Sequence, residues 1–84
     1  MRYSFEVLVT LKPELSDPQG KAVEGSLPAL GWTNVSGVRV GKHVRLDVDA
    51  DDPAAAREQV ERMAGGLLAN PVIEEFRVLE VEGA

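Results

Sequence analysis

The sequence predicts an α+β domain whose elements run strand, helix, strand, strand, helix, strand. Three observations carry that expectation. Residues 35–48 alternate apolar and polar side chains on both sides of Gly41-Lys42, as two half-buried strands around a tight turn would. Asp-Pro occurs twice, at Asp17-Pro18 and Asp52-Pro53, and each time it opens a segment with helix-spaced apolar residues. Strand-patterned segments stand at both ends of the chain.

Residues 3–11 form the first expected strand. Tyr3, Phe5, Val7, Val9 and Leu11 share one face, and Ser4, Glu6 and Thr10 share the other, with Leu8 interrupting the polar set. Pro13 prevents continuation, because it cannot donate to a ladder. Asp17 can accept from the free amides of a first helical turn, and Pro18 loses nothing at the first helical position. Ala22, Val23, Leu27 and Leu30 then make a helical stripe. Pro28 would clash one turn back, so the helix bends or ends near Leu27, and Gly31 terminates it. Val38 and Val40 lie before the expected hairpin turn, and Val44, Leu46 and Val48 after it. The second helix carries Ala56, Val60, Met63 and Leu67 on one stripe, and Gly65-Gly66 weakens its end. After Asn70-Pro71 the last strand runs over about residues 73–81.

Two right-handed crossovers of this order predict a four-stranded antiparallel sheet with both helices on one face, the ferredoxin-like arrangement. Phe5, Val7, Val9, Val44, Leu46 and Val48 would face the helices. The opposite face has nothing in the chain to cover it. Leu8, Leu79 and Val81 would lie there or at an edge, which points to a second subunit.

The 84 residues suffice for one domain, residues 1–84, and for only a modest core, so self-association or a partner is expected. A formal net charge of -5 argues against a general nucleic-acid binder. The absence of cysteine excludes disulfides, thiolate metal sites and a thiol nucleophile. The opening residues contain no uninterrupted apolar run, so neither a signal peptide nor a membrane span is expected, and a cytoplasmic location follows.

No catalytic constellation emerges. The acidic run Asp47, Asp49, Asp51, with Glu58 at the twelfth position, has the start of a calcium loop, but Asp52 occupies the position that needs glycine and Pro53 follows. Gly20-Lys21 lacks the remaining residues of a phosphate loop. His43 is the single histidine and has no acid-base neighbour in sequence. Glu74 and Glu75 are adjacent on a strand and point to opposite faces. No catalytic, cofactor or metal residue is therefore assigned. Contacts with a partner are expected at the first helix start, Asp17, Gln19 and Lys21, and at the hairpin tip, Gly41, Lys42 and His43. Residue chemistry stops at a small acidic domain that binds something; since other small domains of this strand-helix order bind a small molecule between paired copies, a ligand-sensing domain is the alternative to an assembly role.

Five segments together bear a resemblance. Leu11-Lys12-Pro13, Asp17-Pro18-Gln19-Gly20-Lys21-Ala22-Val23, Leu30-Gly31-Trp32, Val38-Arg39-Val40-Gly41-Lys42 and Leu67-Leu68-Ala69-Asn70-Pro71-Val72-Ile73-Glu74 stand in an order and spacing that resembles the PurS family. That family is the small subunit of phosphoribosylformylglycinamidine synthase. The resemblance implies a non-catalytic chain that forms dimers or tetramers. It also implies that the chain bridges a glutaminase and a larger ATP-dependent synthetase, so that ammonia from glutamine reaches formylglycinamide ribonucleotide. ATP and magnesium would belong to the synthetase, with no cofactor in this chain.

Overall fold

The computed structural model describes residues 1–81. Its central strand, β1 (Arg2–Leu11), takes the longest alternating run in the sequence. β2 (Lys42–Asp49) and β3 (Glu74–Val81) flank it, both antiparallel, in the order β2-β1-β3. The register sets Phe5 opposite Leu46, Val7 opposite both Val44 and Val78, and Val9 opposite Phe76. One face of the sheet is thereby apolar on all three strands.

Helix α2 (Pro53–Met63) closes that face with Ala56 and Val60. Phe5, Val7, Val9 and Val60 are the largest fully buried side chains. Each contributes roughly 1.5–3 kcal/mol by leaving water, so these four residues hold α2 on the sheet. The helix starts where Asp52 accepts from the Ala55 amide at 2.8 Å. Past Met63 the backbone widens into a single π-type turn, Ala64–Leu68, at the weak Gly65-Gly66 pair. Asn70 then turns the chain into β3, its Oδ1 accepting from Val72 N–H at 3.1 Å.

Two features of the predicted arrangement are corrected. The sheet has three strands, not four. Residues 35–40 pair with no strand, and Gly41 is not a hairpin turn: the chain runs through it directly into β2. The amides that a neighbouring strand would have used are held by side chains, Val38 N–H by Glu24 and Val40 N–H by Asp17. Period-two alternation reports an extended backbone, and extension does not require a ladder. Gly41 is needed for another reason. A Cβ there would collide with the Val9 carbonyl oxygen and the Thr10 methyl.

The second correction concerns the helices. Only α2 lies on the sheet. Helix α1 (Pro18–Ser26) gives no residue to the hydrophobic core. It ends as its sequence predicts, giving way to a short 3-10 turn at Pro28–Leu30 that Gly31 closes with φ 98°. This segment extends away from the sheet, with Val23, Leu30, Trp32 and Val35 exposed. The molecule measures 51 × 30 × 14 Å, with a radius of gyration of 16.2 Å. A compact chain of this length has a radius of gyration of about 12 Å. The helix forms where its sequence predicts, but it does not dock on the sheet, because a helical stripe states which side is apolar and not what covers it.

Candidate functional site

The junction between α1, the end of β1 and the start of β2 is built around Asp17. Its Oδ1 accepts from Gly20 N–H at 2.9 Å and its Oδ2 from Val40 N–H at 2.7 Å. The side chain thus caps the helix and fixes the incoming strand at once. Asp17 is 4% exposed. The Gly20 amide holds its carboxyl below the usual carboxylate value, with the Val40 amide next in weight and the nearby Arg39 charge adding to it. These outweigh burial, which acts the other way. Gly20 permits the close approach, since a Cβ would overlap the Val38 carbonyl oxygen.

Arg39 fastens the same junction from the other side. Its guanidinium donates to the carbonyls of Leu15 at 2.9 Å, Lys12 at 3.0 Å and Leu11 at 3.4 Å. Those carbonyls lie at the end of β1 and in the loop that follows it, and that of Lys12 also accepts from Leu15 N–H at 2.9 Å. Glu24 completes the set, accepting from Val38 N–H at 3.0 Å. The fork of donors on arginine suits this task because it can serve several acceptors in one plane.

Beside the junction lies a cleft of about 540 Å³ lined by Val9, Thr10, Asp17, Gln19, Lys42 and Glu74, among others. Four of the six residues expected at a partner contact, Asp17, Gln19, Gly41 and Lys42, border this cleft. Lys21 borders an adjacent concavity with Glu24 and Arg39. His43 lies elsewhere, on the uncovered face of the sheet, with Nε2 3.2 Å from Glu6 Oε1. Arg45 Nε is 3.8 Å from the same carboxylate oxygen. The expected hairpin tip is therefore a point along an extended segment. It meets the helix start because Asp17 draws Val40 in, not because a turn presents it.

Sequence reasoning missed Arg39, Glu24 and Glu6. Arg39 carried a faint signal as the one polar residue between Val38 and Val40. Glu24 and Glu6 carried none, since their partners are backbone or cross-strand groups fixed only by the fold. The side-chain chemistry is structural throughout. Ser4 Oγ donates to Asp47 Oδ1 at 2.5 Å, and Asp52 is committed to its helix start. Among the described residues no group of three or more His, Asp or Glu gathers where a metal could bind. Nor is any helix among them long and apolar enough to cross a membrane.

Comparison with known proteins gives this geometry its context. A family model described as PurS, phosphoribosylformylglycinamidine (FGAM) synthase, matches residues 4–82. The chain belongs to the PurS family. That family is the small subunit of FGAM synthase, a multi-chain ligase of purine biosynthesis. The PurS subunit of a Synechocystis species is 44% identical over 98% of this chain and 84% of its own length. PurS of Thermus thermophilus superposes with a TM-score of 0.80 at 42% identity, covering 96% of this chain and 99% of that one. A chain in the structure of PurLQS from Thermotoga maritima superposes with a TM-score of 0.90 at 32% identity, covering 96% of this chain and 99% of that one.

Proposed function

We propose that this chain joins the glutaminase and the ATP-dependent synthetase of FGAM synthase, so that ammonia freed from glutamine reaches formylglycinamide ribonucleotide. The chain supplies surface and the neighbours supply reactivity, with ATP and magnesium held by the synthetase. It works in the cytoplasm as a dimer or tetramer of itself. The contacts lie at the junction, through Asp17, Gln19, Lys21, Gly41 and Lys42, and at His43 on the uncovered face of the sheet. The observation that carries this reading is the likeness to a chain of the PurLQS assembly, at a TM-score of 0.90. An elongated body with exposed apolar residues, Leu30, Trp32, Leu67 and Val72 among them, is also the shape expected of a chain that holds others together. The chemical gain is one of local concentration. Ammonia released into solvent is diluted, whereas a donor site clamped beside an acceptor site keeps it at high effective molarity.

Reconstitution tests this reading. The purified chain is mixed with the glutaminase and the synthetase, and amidine formation is followed with glutamine and, separately, with free ammonium. Glutamine-dependent turnover should require the chain, while ammonium-dependent turnover by the synthetase should not. Equal glutamine-dependent rates with and without it would discard the joining role. A Gln19→Ala, Lys42→Ala double variant should weaken co-elution with the larger subunits while the small oligomer remains intact.

A further inference from the structure

At one end of the sheet the core-facing rows change character on both flanks at once. Along β2 that row runs Val48, Leu46, Val44 and then Lys42, and along β3 it runs Val78, Phe76 and then Glu74. Between them β1 stays apolar through Val7, Val9 and Leu11. Charges of opposite sign therefore stand on either side of an apolar floor. Both border the cleft of about 540 Å³ beside the junction, with Leu11, Pro18 and Gln19. That volume lies within the roughly 300–1,000 Å³ of small-molecule sites.

The two charges do not neutralise each other. Lys42 stands opposite Val9 and Glu74 opposite Leu11, on different sides of β1. Two strand spacings across and two residues along put their Cα atoms about 12 Å apart. Among the described residues neither side chain enters an ion pair. Glu74 is half-buried, and its Oε1 accepts from Asn70 N–H at 2.6 Å, which fixes the carboxylate and leaves Oε2 for another donor. A ligand need not order that group, which favours binding. Lys42 is exposed, and its flexible stem can carry the ammonium group over the floor.

We propose that this cleft binds a free α-amino acid, with its carboxylate on Lys42, its ammonium group on Glu74 and its side chain over Leu11 and Pro18. The spacing admits such a molecule. Two charge-assisted hydrogen bonds of about 2.8 Å, with roughly 3 Å between the charged groups of the zwitterion, bridge about 8–9 Å, and the two side chains reach inward to close the rest. A ligand with one charge would leave the opposite wall without a partner. The inference goes beyond the joining role and does not rest on it.

Calorimetric titration of the purified chain tests the site. The probes are L-leucine and L-glutamine, beside leucinamide, which lacks the carboxylate, and 4-methylpentanoate, which lacks the ammonium group. The expected result is saturable binding of a zwitterion, at least about tenfold tighter than either single-charge analogue, a margin one charged contact supplies. Lys42→Met and Glu74→Gln should each weaken it by a similar factor. Glu74→Gln keeps an acceptor for the Asn70 amide, and circular dichroism checks that both variants remain folded. No saturable binding of either zwitterion up to its solubility limit overturns the site. Analogues that bind as tightly overturn the two-charge recognition, and undiminished binding by both variants overturns the cleft. Each of these failures leaves the joining role standing, because the titration needs neither larger subunit.

Discussion

The two Asp-Pro helix starts have the same sequence grammar and opposite structural situations. At Asp52 the carboxylate serves one amide, and the helix it opens lies on the sheet. At Asp17 the carboxylate is buried and serves both its own helix and the extended segment before β2, at Val40, 23 residues further on. The helix it opens contributes nothing to the core. One motif can therefore anchor an element from its end or merely begin one that is held by its side. In α2 the packing does the holding and the cap refines it. In α1 the cap and the Glu24 carboxylate tie the helix to the segment before β2.

The largest separation between the two should come from matched truncations. Val60→Ala, in the fully buried stripe of α2, should cost about 2–3 kcal/mol from two lost carbons and the cavity they leave. Val23→Ala, on α1 and 44% exposed, should change the stability of the isolated chain by less than about 0.5 kcal/mol. Denaturant unfolding of the two variants measures both, and equal losses would mean that α1 is docked after all.

The caps should separate next. Asp52→Ala should cost about 1 kcal/mol, the ordinary worth of a helix cap, and Asp17→Ala should cost more, because two elements lose their anchor. Asp17 should also leave a signature in acid. Its folded carboxyl sits below the 3.8 expected of an unperturbed aspartate, so the unfolded chain binds the proton more readily. The stability it provides is complete well above that pH and is lost as pH falls through the depressed folded value. Thermal melts of Asp17→Asn should accordingly show a shallower loss on acidification than melts of the unsubstituted chain. The smallest effect belongs to the exposed helix surface. Breaking the Glu58–Arg62 pair, 3.0 Å apart and one turn along α2, should cost only about 0.3–0.5 kcal/mol, seen as a slight fall in melting temperature that salt abolishes.

Much of the fold was legible because it is local. β1, both helix starts, the end of α1 before Pro28 and the apolar face of β2 each follow from residue spacing and turn chemistry. What failed was the assignment of partners. Val38 and Val40 have the pattern of a strand, yet the groups that satisfy their amides are carboxylates of Asp17 and Glu24, far away in sequence. Ala22, Val23 and Leu27 have the pattern of a buried stripe, yet the core closed without them. Asp17, Gln19, Gly41 and Lys42 do converge, whereas His43 faces Glu6 on another surface. No spacing rule could have announced Arg39, whose three acceptors are backbone carbonyls at the end of β1 and in the loop after it.

The carboxylate of Asp17 has a further consequence for motion. Its two oxygens tie the first turn of α1 to the segment entering β2, so neither can open while the other stays shut. Hydrogen exchange at the Gly20 and Val40 amides should report a single opening free energy, although these residues belong to different elements. Helix α1 and the segment before β2 would then fray as one unit, independently of the sheet, and a binding partner that quiets either would quiet both.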